Sequence, residues 1–237
     1  LSVLSSLCVK FKRKNTKIFY DVIGGWLPDY LKTNKKVLNN LEKFNGIWIE
    51  TKTMKDKLLS LGLKNIEIIP NFKNITPLSN SNLTYFSKQN NKFKVCTFSR
   101  VSKGKGITDL IRAVNYINSL DFNVELDIYG PIETQYEQEF YNLVSNNSYC
   151  KYCGVVDSRD SVEIIKNYYL LCFPTKYYTE GLPGTIIDAY CAGVPVVASN
   201  WLSANDIIVD GKTGVLYSFN NYDDLIKKLM FCLNNVD

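Results

Sequence analysis

The sequence predicts an α/β protein with a doubly wound parallel-sheet domain in its second part and a partial domain of the same kind before it. Apolar strand-like runs alternate with amphipathic helical runs along almost the whole chain. Runs such as FKVCTFS, YLLCFPT and VPVVAS are apolar nearly throughout, as strands covered by helices on both faces must be. Between 71 and 92 the composition changes to an Asn- and Ser-rich stretch with one proline. This divides the chain into 1–72, the C-terminal part of a first domain, a linker at 73–92, and a second domain at 93–237.

In the first block, KIFYDVI (17–23) reads as a strand ending at Gly24 and Gly25. Residues 28–44 read as one helix with Leu31, Leu38 and Leu41 near one face. GIWIE (46–50) is a strand, 52–61 a helix stopped by Gly62, and IEIIP (66–70) a strand. In the second block, strands at 93–99, 124–130, 150–156, 169–175 and 194–199 are each followed or preceded by helical runs. The clearest helix is 107–120, where Ile107, Leu110, Ile111, Val114 and Ile117 keep a helical spacing. Further helices are expected at 134–146, 158–167, 184–192 and 221–234, with a last short strand at 214–218. A right-handed doubly wound sheet is the economical way to connect them.

The totals exclude several classes. At 237 residues and 46% hydrophobic, the chain can bury a sizeable core. No run of eighteen apolar residues is present, so no membrane-spanning segment is expected. LSVLSSLCVK, which starts at Leu1 rather than Met, lacks the form of a signal peptide, and a chain cut within a domain is the expectation. The formal net charge is +5, yet the basic residues are scattered apart from KFKRK at 10–14. That run can touch anionic lipid or a phosphate-rich partner, or simply be solvated. Nothing resembles a nucleic-acid motif. Seven cysteines without a signal peptide point to reduced thiols and a cytoplasmic protein. Cys150 and Cys153 form a lone CxxC in a chain without histidine, which is a poor metal site. Cys96, Cys153 and Cys172 are expected to be buried as small apolar residues.

Two strand ends carry suggestive chemistry, and open parallel sheets bind ligands beyond the carboxyl ends of their strands. After FKVCTFS comes RVSKGKG, with Arg100 leaving the strand and Lys105 between Gly104 and Gly106. A helix N-terminus, close backbone approach at glycine and two cations make an anion site by composition. An ordinary loop with solvated cations is the alternative. After YLLCFPT comes EGLPGTIIDAYCAG. Gly181, Leu182, Pro183 and Gly184 form a turn, and Thr185 opens a helix whose N-terminus can hold phosphate. As one continuous helix, Glu180 and Asp188 would stand about 80° and about 12 Å apart. The turn instead lets both acids line one pocket. Acids beside a phosphate seat accept hydrogen bonds from hydroxyls, which points to a nucleotide sugar. The plainer alternative has Asp188 favouring the helix start and Glu180 solvated.

RVSKGKG followed by TEGLPGTIIDAYCAGVPVVAS resembles the C-terminal half of retaining GT-B glycosyltransferases of family four, over roughly 93–237. Residues 18–72 resemble the tail of that family's N-terminal domain. The resemblance implies two Rossmann-like domains, the first only partly present, so that the chain is a fragment without most of its acceptor site. It implies transfer from a UDP- or GDP-sugar to a glycan or lipid-linked acceptor in surface polysaccharide biosynthesis, with peripheral membrane contact and no essential metal or other cofactor. It implies that Arg100 and Lys105 hold the pyrophosphate, that Glu180 contacts the donor sugar, and that the Gly181–Thr185 amides bind the diphosphate. The second acid, ordinarily Glu, contacts the ribose; here it is Asp188, one methylene shorter. A non-catalytic nucleotide-binding module is the alternative.

Overall fold

The structure is a computed structural model that describes residues 1–83 and 92–235; residues 84–91 of the Asn- and Ser-rich connection lie outside the described residues. It divides into two compact units, Leu1–Asn71 with Thr179–Pro183, and Phe72–Tyr178 with Gly184–Asp237.

The first unit holds a three-stranded parallel sheet in the order β1-β2-β3 (Phe19–Val22, Gly46–Ile49 and Ile66–Ile68). Helix α1 (Ser2–Phe11) precedes it, in a segment for which the sequence suggested no helix. The amide of Asn40 donates to the hydroxyls of Ser5 and Ser6, tying α1 to the helix that carries Asn40. Its Val3, Leu4, Leu7 and Phe11 remain exposed. The helix expected over 28–44 is two helices, α2 (Leu27–Thr33) and α3 (Lys35–Leu41). Asn34 separates them. It adopts a non-helical conformation, and its side-chain amide takes the Tyr30 carbonyl that a continuing helix would have used. Helix α4 (Lys52–Ser60) is capped by the Thr51 hydroxyl, which accepts from the Met54 N–H. Leu27, Leu31, Leu41, Ile47, Ile49, Met54 and Leu58 close the core of this unit.

The second unit is a six-stranded sheet in the order β6-β5-β4-β7-β8-β9, parallel throughout. Its strands are β4 (Lys92–Phe98), β5 (Asn123–Tyr129), β6 (Cys150–Gly154), β7 (Leu170–Phe173), β8 (Val196–Ser199) and β9 (Gly214–Tyr217). Counted within the unit this is 3-2-1-4-5-6, the doubly wound order. Successive side chains face opposite cores. Leu170 and Cys172 of β7 enter the core built with α5 (Ile107–Asn118), α6 (Glu137–Ser145) and α9 (Tyr222–Asn234). Leu171 and Phe173 enter the other, with α7 (Ser161–Ile165) and α8 (Gly184–Cys191). Both β7 and β8 are buried at every position, which is why their runs show no alternation of polarity. Cys96 and Cys172 are buried as expected, whereas Cys153, near the end of β6 at the sheet edge, is half-exposed. Residues 72–78 belong to this unit: Ile75 and Leu78 pack on the second core, and the Leu78 N–H donates to the Cys191 carbonyl.

Candidate functional site

In the order 3-2-1-4-5-6 the chain leaves β4 and β7, which are neighbours, toward opposite sides, and a crevice opens beyond their carboxyl ends. Both loops that the sequence singled out start there. After β4, Arg100 is exposed. The next residue, Val101, bridges to Ile132, and its N–H donates to the Pro131 carbonyl. The Ser102 hydroxyl then accepts from the Lys105 N–H, closing a 3-10 turn over Lys103–Lys105. Gly106 follows at φ +73°, and a Cβ there would lie 1.9 Å from the Pro174 carbonyl oxygen. Only glycine permits this approach of the loop to the end of β7. The Lys176 N–H donates to the Gly104 carbonyl, fixing the two loops together. The Lys105 ammonium stands 5.3 Å from the ring centroids of both Phe173 and Tyr177.

A cavity of about 240 Å³ lies along the same edge of the sheet, lined among others by Phe98, Tyr129, Val155, Thr185, Asp188 and Lys73. Phe98 and Tyr129 stack with centroids 4.2 Å apart. The Tyr129 hydroxyl meets that of Tyr168 at 2.7 Å, and Tyr168 donates to Asp127 Oδ2 at 2.7 Å. Burial pushes the Tyr129 phenol up to about 12, and burial with these hydrogen bonds pushes Tyr168 higher, so both stay protonated. The Thr185 hydroxyl is shielded from solvent and has no hydrogen-bond partner among the described residues. A buried hydroxyl left in this way is a candidate for a ligand oxygen.

Asp188 is the fifth residue of α8, beyond the first turn, so it does not act as a charge at the helix start. It is buried, and both its carboxylate oxygens accept from the Lys73 ammonium. Lys73 lies in the Asn- and Ser-rich stretch, where no local pattern marks it as a partner of Asp188. The signal that could have found it is chemical: an acid buried in an apolar helix needs a cation.

Gly184, Thr185 and Asp188 therefore share a cavity wall, while Arg100 and Lys105 stand on the adjoining loop and not in that wall. Glu180, Gly181, Leu182 and Pro183 group with the first unit. The expectation of a row of amides from Gly181 to Thr185 open to an anion is corrected at two positions. Pro183 has no N–H, and the Leu182 N–H donates to the Glu50 carboxylate.

The model of the glycosyl transferases group 1 matches residues 84–236. The chain belongs to this family. The capsular polysaccharide biosynthesis glycosyltransferase CapM of Staphylococcus aureus is 28% identical over 154 residues, covering 64% of this chain and 39% of CapM. An uncharacterized glycosyltransferase, MJ1069 of Methanocaldococcus jannaschii, is 26% identical over 95% of this chain and 55% of its own length. The chain thus spans about half the length, or less, of the curated relatives it matches. Among solved structures, Anabaena HepE in complex with UDP-glucose superimposes with a TM-score of 0.76 at 19% identity, over 98% of this chain and 66% of HepE. S. aureus TarM, solved with Fondaparinux, alpha-GlcNAc-glycerol and UDP, gives 0.75 at 22% identity, over 95% of this chain and 45% of TarM. The fold of this group 1 chain is the GT-B type.

Proposed function

We propose that the protein of which this chain is the donor-binding part is a retaining glycosyltransferase of family four. It moves a sugar from a UDP- or GDP-sugar to a glycan or lipid-linked acceptor in surface polysaccharide biosynthesis. The observation that carries the reading is the meeting of two loops beyond the carboxyl ends of β4 and β7, one with Arg100 and Lys105, the other leading into α8 with Thr185 and Asp188. In this reading Arg100 and Lys105 neutralise the pyrophosphate and the charge that grows on the leaving nucleoside diphosphate. The Thr185 hydroxyl and the start of α8 add donors to the phosphate. Asp188, already held by Lys73, accepts from the ribose with whatever lone-pair capacity that ion pair leaves. Phe98 and Tyr129 provide the flat wall against which a base can lie. Glu180 contacts the donor sugar. The exposed apolar residues of α1 and the basic run KFKRK at its end suit contact with anionic lipid, where a lipid-linked acceptor would be met.

The test is calorimetry of UDP and GDP with the full-length protein, followed by a panel of UDP- and GDP-sugars read by release of nucleoside diphosphate. Arg100→Ala with Lys105→Ala is expected to weaken nucleotide binding by at least about tenfold, since each loses a charge-assisted phosphate contact. Glu180→Ala is expected to lower transfer by about 100-fold or more, as loss of a positioned sugar contact does. Normal transfer by Glu180→Ala would remove this role for the loop. Nucleotide binding by the wild type with no turnover on any donor would favour a non-catalytic binding module, for which the engagement of Asp188 by Lys73 speaks.

A further inference from the structure

Glu50 follows β2 directly and is half-buried in the first unit. One of its oxygens, Oε2, accepts two backbone hydrogen bonds, from the Gly24 N–H at 3.1 Å and the Leu182 N–H at 3.2 Å. Around it, the Gly25 N–H donates to the Thr179 carbonyl at 2.8 Å, and the Asn71 side-chain amide donates to the Leu182 carbonyl at 2.9 Å. Gly181 lies against the carboxylate so closely that a Cβ would stand 1.8 Å from Oε2 and 3.0 Å from the Gly24 Cα. The bonds fall on Thr179 and on Leu182, that is, immediately before Glu180 and two residues after it. A short segment fixed on both sides leaves the residue between few backbone conformations.

We propose that Glu50 is a positioning residue: its carboxylate clamps the 179–183 segment so that Glu180 is presented to the donor sugar in one geometry. The inference rests on the reading of Glu180 given above. A carboxylate suits the task because its hydrogen bonds to amides are charge-assisted, and because one oxygen can take two donors. Gly181 is glycine because any larger residue would expel the carboxylate. The acid does not touch the reacting atoms in this scheme, so its charge matters less than its acceptor.

Two measurements on the full-length protein test it. Amide hydrogen exchange over a peptide containing 179–183 reads the clamp itself. Turnover on the panel of UDP- and GDP-sugars, with calorimetric affinity for UDP, reads its consequence. Glu50→Ala is expected to speed exchange in that peptide about tenfold or more, since the charge-assisted bond from the Leu182 N–H is lost. It should lower kcat about 10- to 100-fold, the usual effect of a misplaced group, and leave the Kd for UDP within about twofold, because the reading above holds UDP by Arg100, Lys105, Thr185 and Asp188, whereas Glu50 accepts from Gly24 and Leu182. Glu50→Gln keeps the acceptor and should restore both exchange and most of kcat, with an unchanged pH profile. Gly181→Ala should speed exchange and lower kcat as Glu50→Ala does, and in both respects the double variant should be no worse than Gly181→Ala alone, as residues acting as one unit are non-additive. Unchanged exchange in Glu50→Ala overturns the clamp while leaving the glycosyltransferase reading intact. Faster exchange with unchanged kcat overturns the positioning role. Failure of Glu50→Gln alongside Glu50→Ala would mean that the charge itself is used, and also overturns it. A wild-type protein that turns over none of the donors removes the functional reading and this role with it, whatever the exchange shows.

Discussion

Replacing Lys73 by methionine keeps a long apolar stem but removes the ammonium that both oxygens of Asp188 accept. The Asp188 side chain is only 5% exposed, whereas Lys73 keeps 22% of its own in contact with solvent. Removing one partner of a buried pair costs about 3–5 kcal/mol, because the remaining charge has neither water nor counter-charge. Lys73→Met strands the more deeply buried member, so the full cost of about 3–5 kcal/mol is expected. Asp188→Asn strands the ammonium, which can regain hydration through its open side, and about 2 kcal/mol is expected. Lys73→Met with Asp188→Leu replaces the pair by apolar groups and should fall within about 1 kcal/mol of the wild type. Urea unfolding followed by Trp201 fluorescence measures this, in a background with Trp26, Trp48 and every other tryptophan of the protein replaced by phenylalanine. Trp201 is buried in the second unit and reports on it alone. With a slope of about 2 kcal/mol per molar urea, the Lys73→Met midpoint drops by about 1.5–2.5 M. Equal losses in the two single variants, or a double variant as unstable as the sum, would refute the claim that burial of the pair sets its cost.

Other consequences are equally direct. Asp188→Glu adds a methylene to the wall of a small cavity and breaks the two-oxygen contact with Lys73, so a loss of about 1–3 kcal/mol is expected in the same urea experiment. Gly106→Ala combines a left-handed backbone with a Cβ 1.9 Å from the Pro174 oxygen; a loss of at least about 2 kcal/mol is expected, with weaker UDP binding by calorimetry, because the loop must move away from β7. Tyr168→Phe removes the donor to Asp127 and the partner of Tyr129, at about 1–3 kcal/mol by urea midpoint. Burial pushes Cys232 up to about 11 and Cys150 up to about 12, from the ordinary 9.0. The folded state therefore holds these protons after the unfolded chain has released them. Their contribution is fully present below pH 9 and is lost between pH 9 and about 11 for Cys232 and between pH 9 and about 12 for Cys150, by about 1.4 kcal/mol per pH unit for each thiol within its own window. Urea midpoints between pH 8 and 12 should fall along that window, and less steeply in a Cys150→Ala, Cys232→Ala variant.

Helix α5 was legible because Ile107, Leu110, Ile111, Val114 and Ile117 all enter one core, and a single buried face leaves its period in the sequence. Strands β7 and β8 were legible as fully buried runs for the related reason that both faces are covered. Helix α1 was not, because its apolar residues Val3, Leu4, Leu7 and Phe11 are exposed, only Cys8 and Val9 of the helix pack on the core of the unit, and serines with an asparagine supply its hydrogen bonds to α3, so no continuous apolar face marks it. The break at Asn34 was missed because hydrophobic spacing continues across it while the backbone does not.

The class of fold and the chemistry available at two strand ends are written in the amino-acid order alone, since both follow from local periodicity and from residue types at short spacing. The choice of Lys73 as partner for Asp188, 115 residues away, was made only by the tertiary structure. So was that of Glu50 as acceptor for the Leu182 amide, 132 residues away. No local pattern announces such pairs. A buried charge or a turn amide states that it needs a partner, but which residue supplies it depends on which chain segments packing brings within hydrogen-bond distance.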